Sequence, residues 1–347
     1  MKKLYKDIRF TKGILTLTAG LLIAGCSAED ELGNNSSAQQ LNMIPMVNDL
    51  QKSRANDEDA LHEKTLSKLD FKMFEPEFGK CCVNHQSSSP AENQAEVLGK
   101  NNWKVDLNLQ EDHSYNYYAV ANAQADLSKK TLEELQAATQ QDNDIWQPYP
   151  QAKDKKFLMS AKGQYIISKD PIQDIPVELV RAAAKIKLNL SSSVNGYNMT
   201  SVNWKFLNYN TNTSVFAGQT AKPNIESNNE DNTVDKIEAN KCSVTTYSYS
   251  TTWTSQEDAP KIAVKVVFQS KDNKNDTREK ELTIPVRDPK GEKKLERNYI
   301  YTVNADIKRL KDDINIDYDE ELGYLKWAIT KWTTGEDTEV DADKASY

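Results

Sequence analysis

Apolar and polar residues alternate along short stretches of this chain, and a period of two is the pattern of a half-buried β-strand. The first half carries several such stretches. They are Leu41–Leu50, Leu69–Met73, Trp103–Leu109, Tyr115–Asn122, Phe157–Met159 and Tyr165–Ile167. We expect the third and fourth to pair with each other and the last two to flank a turn at Gly163. Pro45 is expected to keep the first stretch at a sheet edge.

The second half continues the pattern. The run Val177–Leu190 is expected to form one long strand because its apolar residues alternate up to its end. A helix over Val177–Lys185 is the rival interpretation. Later strands are predicted at Ser201–Leu207, Ile262–Phe268, Glu281–Val286, Tyr299–Ile307 and Leu325–Trp332. Turns rich in Asn, Asp and Ser separate these strands, which favours a mainly β fold of antiparallel β-sandwiches over alternating strands and helices.

One short helix is predicted. Thr131 and Glu134 have the spacing of a capping box, and apolar residues then follow on one helical face. Those residues are Leu132, Leu135 and Ala138. Residues 79–101 are polar and are predicted to form a loop.

Prolines interrupt the strand pattern near the middle of the chain, at Asp170-Pro171 and Ile175-Pro176. Such breaks are typical of a boundary between domains. We therefore expect one β-sandwich domain over residues 55–175 and a second over residues 176–347. A chain of 347 residues is long enough for two domains of ordinary size.

The charge balance narrows the choice of partners. The chain carries 44 basic and 52 acidic residues, for a formal net charge of -8. Binding to nucleic acid depends on clusters of Lys and Arg that contact phosphates. The acidic balance therefore argues against nucleic acid as a partner.

The N-terminus has the features of an export signal. Basic residues precede the apolar run Ile14–Ala24, which is too short to span a bilayer but has the length of a signal-peptide core. The run leads into Leu22-Ile-Ala-Gly-Cys26, the pattern of a lipobox. We expect a signal peptide over residues 1–25 and a membrane anchor of lipid, palmitate included, on Cys26. A plain secretory signal with an incidental cysteine is the alternative.

No motif for catalysis is present. The chain lacks a nucleophile elbow, a phosphate-binding loop, a dinucleotide-binding glycine pattern and a zinc-protease motif. Cys81, Cys82 and His85 offer too few ligands for a metal, so the thiols are expected to lie in a loop. We expect no enzyme activity, no cofactor and no metal. A disulfide from Cys81 or Cys82 to Cys242 stays open.

An ordered set of segments resembles the fimbrillins, the type V pilins of anaerobic Gram-negative bacteria. The likeness runs from the lipobox to about Trp332. Its segments are the lipobox at Cys26, Lys52–Ala55, Tyr118–Asn122 followed by Thr131–Leu135, Phe157–Ser160, Val180–Ile186, Leu295–Tyr301 and a late strand that contains tryptophan. The resemblance implies two β-sandwich domains of transthyretin-like topology. It also implies a structural subunit of a cell-surface fimbria that supports adhesion, with a host surface ligand as one further partner.

A maturation route also follows from the resemblance. The lipoprotein would reach the outer membrane, where an Arg-specific protease would cut between Arg54 and Ala55. The cut would release a lipidated propeptide, residues 26–54, together with the first strand. A strand donated by another fimbrial subunit, of the same or a different kind, would fill the groove and build an extracellular fimbrium. The alternative for Arg54 is an ordinary surface arginine.

The donor strand is expected near the C-terminus, because that is where the resemblance places it. The candidate residues are Leu325, Trp327, Ile329, Trp332 and Val340. The tail after Trp332 is acidic and has few apolar anchors, whereas a donor strand should alternate apolar residues. The better alternating stretch, Leu325–Trp332, also fits a strand of the second domain's own sheet.

Other roles fit the same residues. An anchor subunit would keep its lipid and stay uncut at Arg54, and the stalk and tip positions are equally open. A surface lipoprotein that binds glycan or host protein could use Tyr247, Tyr249 and Trp253 as a sugar-stacking platform. Aromatic residues at this spacing more often form the buried face of a strand. A hydrolase is the third alternative, because a catalytic carboxylate pair is set by space and not by sequence.

Overall fold

The computed structural model describes the chain from the first predicted strand onward, with gaps. The described residues are 39–47, 63, 65–88, 103–107, 109–148, 156–287, 291–310, 322–331 and 337–338. They are almost entirely β-strand and connecting turns, so the expected mainly β fold is confirmed. No helix among the described residues has the length and apolar character needed to cross a bilayer.

Nine elements make up the first part of the described chain. They are β1 (Gln39–Val47), β2 (Lys68–Phe74), β3 (Cys81–Ser88), β4 (Trp103–Leu107), β5 (Ser114–Ala121), α1 (Leu132–Gln136), β6 (Thr139–Gln141), β7 (Met159–Ile166) and β8 (Ile172–Arg181). All of these strands except β6 join one seven-stranded sheet in the order β3-β2-β5-β7-β8-β1-β4.

This first sheet is nearly divided in two. Strands β7 and β8 pair at only two positions, Met159 with Arg181 and Ser160 with Val180. Strands β8, β1 and β4 therefore form a three-stranded portion that joins the other four strands at one end. Side chains from both portions contribute to the same hydrophobic core. Strand β1 is the central strand of the smaller portion.

The remaining strands build the second part. They are β9 (Ala183–Ser192), β10 (Tyr197–Leu207), β11 (Tyr209–Asn210), β12 (Asn212–Ser214), β13 (Ile225–Glu226), β14 (Asn232–Thr233), β15 (Lys241–Tyr249), β16 (Thr251–Thr252), β17 (Lys261–Ser270), β18 (Thr277–Pro285), β19 (Lys294–Leu295), β20 (Tyr299–Ile307), β21 (Leu322–Lys331) and β22 (Asp337–Thr338). A seven-stranded sheet has the order β13-β11-β15-β9-β20-β21-β22, and a four-stranded sheet has the order β14-β10-β17-β18. Short pairs join β12 to β6 and β16 to β19.

The predicted single strand from Val177 to Leu190 is wrong in one respect. The chain leaves the first sheet with β8 and enters the second with β9, and Ala182 separates the two strands. Pro176 lies inside β8, where it pairs with Ile44 of β1, so the change of sheet does not fall at this proline. The strand interpretation itself is confirmed against the helical one. The division into two sandwich domains stays a prediction.

Three other expectations fail around the first sheet. Residues 79–101 include an edge strand, β3, in which Cys81–Gln86 are exposed or half-buried except for Val83. Strands β4 and β5 do not pair, because β4 pairs with β1 and β5 lies between β2 and β7. Strand β7 continues through Gly163 without a turn.

The predicted helix is confirmed together with its cap. The Thr131 hydroxyl accepts a hydrogen bond from the Glu134 amide at 3.3 Å, and the Glu134 carboxylate accepts one from the Thr131 amide at 2.9 Å. These bonds satisfy donors that the first turn would otherwise leave unpaired. Leu135 is buried on the inner side of the helix.

Gly163 lies in β7 because a neighbouring ring occupies the space of a side chain. It pairs with Tyr117 of β5, and a Cβ at Gly163 would come within 2.8 Å of the Tyr117 ring. Gly163→Val should therefore lower the free energy of unfolding by about 1–3 kcal/mol, as overpacking does elsewhere. Urea denaturation measures the loss. The Gly163→Val/Tyr117→Ala double variant should lose less than the sum of its single variants, and strict additivity would contradict this explanation.

Candidate functional site

Strand β1 is held by strands on both sides. It runs parallel to β8 over eight register pairs, from Gln40 with Ile172 to Val47 with Leu179. It runs antiparallel to β4 over five, from Gln39 with Leu107 to Met43 with Trp103. A segment that the chain places before Arg54 thus occupies an interior position of a sheet.

The inner side of β1 is apolar and closely packed. Leu41 and Met43 are fully buried, and Pro45 and Val47 are buried behind them. The register sets these residues beside the buried side of β8. Their partners are Gln173, Ile175, Val177 and Leu179, in that order. The predicted first strand is confirmed, and it belongs to the core.

Removing β1 would therefore leave a groove between β8 and β4. Ile175, Val177 and Leu179, each at most 1% exposed, would meet water. Burying an apolar side chain of this size contributes about 1.5–3 kcal/mol, so the vacated groove favours any strand that restores the contacts. The backbone groups of β8 that now bond to β1 would also lose their partners, which is the condition for adding a strand.

Pro45 occupies a place where a missing amide hydrogen does no harm. The pairing with β4 ends at Met43, so Pro45 has a strand neighbour on the β8 side alone. The expectation that proline keeps the whole strand at a sheet edge is wrong, because β4 covers β1 up to Met43. A proline is tolerated here because the second neighbour stops short of it.

The outer side of β1 has one directed polar contact. The Asn42 side-chain amide donates a hydrogen bond of 2.8 Å to the Asp174 carboxylate, its register partner on β8. The Asn42 carbonyl oxygen is buried and accepts no hydrogen bond within the described residues. Burial, with the negative charges of Asp174 and Asp170, raises the pKa of the nearby Tyr165. The β8 side of the groove is thus acidic.

A buried carboxylate fixes the chain between β1 and β2. The side chain of Glu63 is fully buried and lies 2.9 Å from the Lys185 ammonium of β9. Tyr247 of β15 donates a hydrogen bond to the same carboxylate, and Arg181 donates one of 2.8 Å to the Glu63 backbone carbonyl. We call Glu63, Arg181, Lys185 and Tyr247 the Glu63 clamp. No pattern in the sequence indicates this cluster, because its members lie far apart along the chain.

The predicted processing residues, Cys26, Arg54 and Ala55, lie outside the described residues, as do Trp332 and Val340. Three donor-strand candidates are described. Leu325, Trp327 and Ile329 belong to β21, in register with Ala305, Val303 and Tyr301 of β20. In this structure β21 is thus part of the chain's own sheet, the alternative that the sequence left open.

The suggested sugar platform is wrong. Tyr247 and Tyr249 are each 1% exposed and Trp253 is 8% exposed, so these rings are buried and cannot stack on a sugar. The alternative interpretation, the buried face of a strand, is confirmed for Tyr247 and Tyr249 of β15, while Trp253 is buried just after β16. Cys81, Cys82 and Cys242 are free thiols in this structure. Burial raises the pKa of Cys242 to about 11, which keeps its thiol protonated at neutral pH.

The sequence matches no protein-family model, and a search of curated proteins found no significant match. Solved structures do match. A candidate cell adhesion protein from Parabacteroides distasonis aligns with a TM-score of 0.59 and 16% identity, over 86% of this chain and 98% of that one. The tip fimbrial protein Mfa3 from Porphyromonas gingivalis, with a C-terminal truncation, aligns with a TM-score of 0.54 and 14% identity, over 85% and 100%. The fimbrilin FimA from the same species aligns with a TM-score of 0.53 and 13% identity, over 86% of this chain and 98% of that one.

These likenesses extend over most of each chain. The resemblance to fimbrillins that the sequence motifs indicated is confirmed as a likeness of fold. The matched proteins include fimbrial and candidate adhesion proteins.

Proposed function

We propose that this chain is a structural subunit of a cell-surface fimbria that polymerises by donor-strand exchange. The observation that carries the proposal is the position of β1. The strand that a cut after Arg54 would remove is the central strand of the three-stranded portion. The fold, shared with fimbrilin and a tip fimbrial protein, supports the same role.

The proposed route begins at the membrane. Lipid on Cys26 holds the exported precursor on the outer membrane, and β1 keeps its sheet complete, so the precursor stays monomeric. An Arg-specific protease then cuts between Arg54 and Ala55 and releases the lipidated propeptide. Loss of β1 opens the groove beside β8 and separates the subunit from its anchor in one step.

A strand from another subunit then fills the groove. The contact joins two different surfaces, the donated strand of one copy and the groove of the next. Such a contact does not close on itself and therefore builds a filament. The product is an extracellular fimbrium, and a host surface ligand would be bound by the assembled fibre.

The test is the N-terminal residue and the intact mass of the protein recovered from the native cell surface. We expect a start at Ala55 without lipid, and ladders of multimers on gels after the purified precursor is treated with an Arg-specific protease. An Arg54→Gln precursor is the matched control, and it should stay uncut and monomeric. A lipidated start at Cys26 would contradict the proposal and indicate an anchor subunit.

A further inference from the structure

We propose that Asp174 selects the strand that enters the groove, and that this strand is β21 of a second copy, with Lys326 opposite Asp174. The proposal rests on the proposed function and deepens it, because it names the partner strand and its register. In this register Leu325 takes the place of Leu41, and the incoming strand runs parallel to β8.

The register of β1 defines what the groove accepts. Inward positions 41, 43, 45 and 47 lie beside a buried, mainly apolar row of β8. Outward positions 40, 42, 44 and 46 lie beside Ile172, Asp174, Pro176 and Glu178. An incoming strand therefore needs apolar residues at alternate positions and a hydrogen-bond donor opposite Asp174, where Asn42 now donates at 2.8 Å.

One register of β21 meets both requirements over positions 41 to 45. Leu325, Trp327 and Ile329 take inward positions 41, 43 and 45. Lys331 falls at position 47, the last of the strand, where its aliphatic stem can lie beside Leu179 and its ammonium can reach water. Lys326 then lies opposite Asp174, and the side-chain amide of the propeptide is replaced by a cation. An ammonium facing a carboxylate makes a stronger hydrogen bond than a neutral amide does.

Neighbouring outward positions agree with this register. Tyr324 would lie opposite Ile172, a large apolar side chain that is 60% exposed in this structure. Thr330 would lie opposite Glu178, to which its hydroxyl can donate. The incoming strand would thus cover exposed apolar surface and leave both carboxylates of β8 with donors.

Other registers lose one of the two requirements. A shift by two residues keeps Leu325, Trp327 and Ile329 inward but sets Tyr324, which carries no charge, opposite Asp174 and Lys326 opposite Pro176. A strand in the reverse direction sets Ala328 opposite Asp174 when the three apolar residues take positions 41, 43 and 45. With Lys326 opposite Asp174, the reversed strand leaves Gly323 at inward position 45. The acidic tail after Trp332 would bring carboxylates towards Asp174 and Glu178, where like charges repel.

The exchange also improves the pairing of β21. In its own sheet β21 has β20 along one side, while β22 covers only Ile329 and Thr330 on the other within the described residues. In the groove it would have β8 along one side and β4 along the other. Strand β4 hydrogen-bonds to no described strand except β1, so it can shift outward to admit Trp327 in the place of Met43.

A charge exchange tests the proposal in the form of the protein that starts at Ala55. Asp174→Lys and Lys326→Glu should each slow ladder formation about tenfold, because each sets like charges opposite each other in the groove. The Asp174→Lys/Lys326→Glu double variant should recover to within about twofold of the unmodified protein. Lys162→Glu, on the exposed side of β7, is the matched control and should have no effect.

Cross-linking gives a second measurement that does not depend on rates. In a Cys81→Ser/Cys82→Ser background, Asp174→Cys/Lys326→Cys should form disulfide-linked multimers under mild oxidation. Asp174→Cys/Tyr324→Cys, for the shifted register, and Ile172→Cys/Ala328→Cys, for the reverse direction with Lys326 opposite Asp174, should form few. Cross-linking of either control pair to the extent of the first would overturn the assigned register.

The outcomes separate the two proposals. Ladders that form normally in both single charge variants would overturn the role of Asp174 and leave the fimbrial function standing. Absence of ladders from the unmodified protein that starts at Ala55 would overturn strand exchange itself.

Discussion

Replacing Glu63 by alanine should lower the free energy of unfolding by about 3–5 kcal/mol, the usual cost of removing one member of a buried ion pair. The substitution takes the carboxylate away from Lys185 and Tyr247, which are 5% and 1% exposed. Their polar atoms would lose this partner in a place that water does not reach. Urea denaturation of the purified precursor measures the change as a shift of the midpoint.

Matched variants separate charge from packing. Glu63→Gln keeps an oxygen acceptor of the same size and should cost less than Glu63→Ala. Tyr247→Phe removes one hydrogen bond and should cost about 1–3 kcal/mol. Glu77→Ala, on the exposed turn after β2, should change stability by less than about 0.5 kcal/mol. Equal midpoints for Glu63→Ala and Glu77→Ala would contradict the clamp.

The clamp also bears on the proposed processing. Glu63 follows Arg54 in the chain and precedes β2, so it fixes the polypeptide between the strand proposed to leave and the strand proposed to stay. Arg181, Lys185 and Tyr247 belong to β8, β9 and β15. These strands lie after Arg54 in the chain, so they would stay in the protein after the cut. When β1 leaves, we therefore expect the Glu63 clamp to hold the chain that follows it, so that β2 keeps its position.

Strand positions were largely predictable because burial on one side of a strand leaves a period of two. The phase of that period held further information. Val177 and Leu179 are buried at odd positions, whereas Ile186, Leu188 and Leu190 are buried at even ones. The change of phase marks the passage from one sheet to the next at Ala182. The predicted boundary missed this position because it was placed at Pro171 and Pro176.

Pairing partners were not predictable from the same pattern. Strand β1 lies next to β8, which is far away in sequence, and alternation carries no information about which strand is the neighbour. Edge strand β3 was not predicted because Val83 is the one buried residue in Cys81–Gln86, so no period of two appears. The predicted turn at Gly163 was wrong for a similar reason. The ring that occupies the space of a side chain there belongs to Tyr117 of β5, a different strand.

The candidate site was predictable in part. Alternation located β1, and the resemblance to fimbrillins indicated its removal. Asp174 and Glu63 could not be found in this way, because the residues that they contact lie more than 100 positions away in the chain. A lone carboxylate in an acidic chain looks like a solvated surface residue.

Met43→Asp in the uncut precursor should expel β1 from its sheet and produce ladders without any protease. Met43 is fully buried between β8 and β4, and a carboxylate in its place would be unpaired and shielded from water. The loss of apolar burial and the buried charge together disfavour the docked strand by on the order of 4 kcal/mol. The groove would then be open although Arg54 is intact.

Hydrogen exchange and gels measure the two consequences separately. In the monomeric fraction of Met43→Asp, the amides of Ile175, Val177, Glu178 and Leu179 that now bond to β1 should exchange faster, because their strand neighbour is gone. Multimers should appear in the same sample. Ile44→Asp is the matched control: Ile44 is only half-buried and lies opposite Pro176, so β1 should stay docked. Fast exchange of β8 without multimers would show that an open groove does not suffice for assembly, and strand exchange would then need a trigger other than the loss of β1.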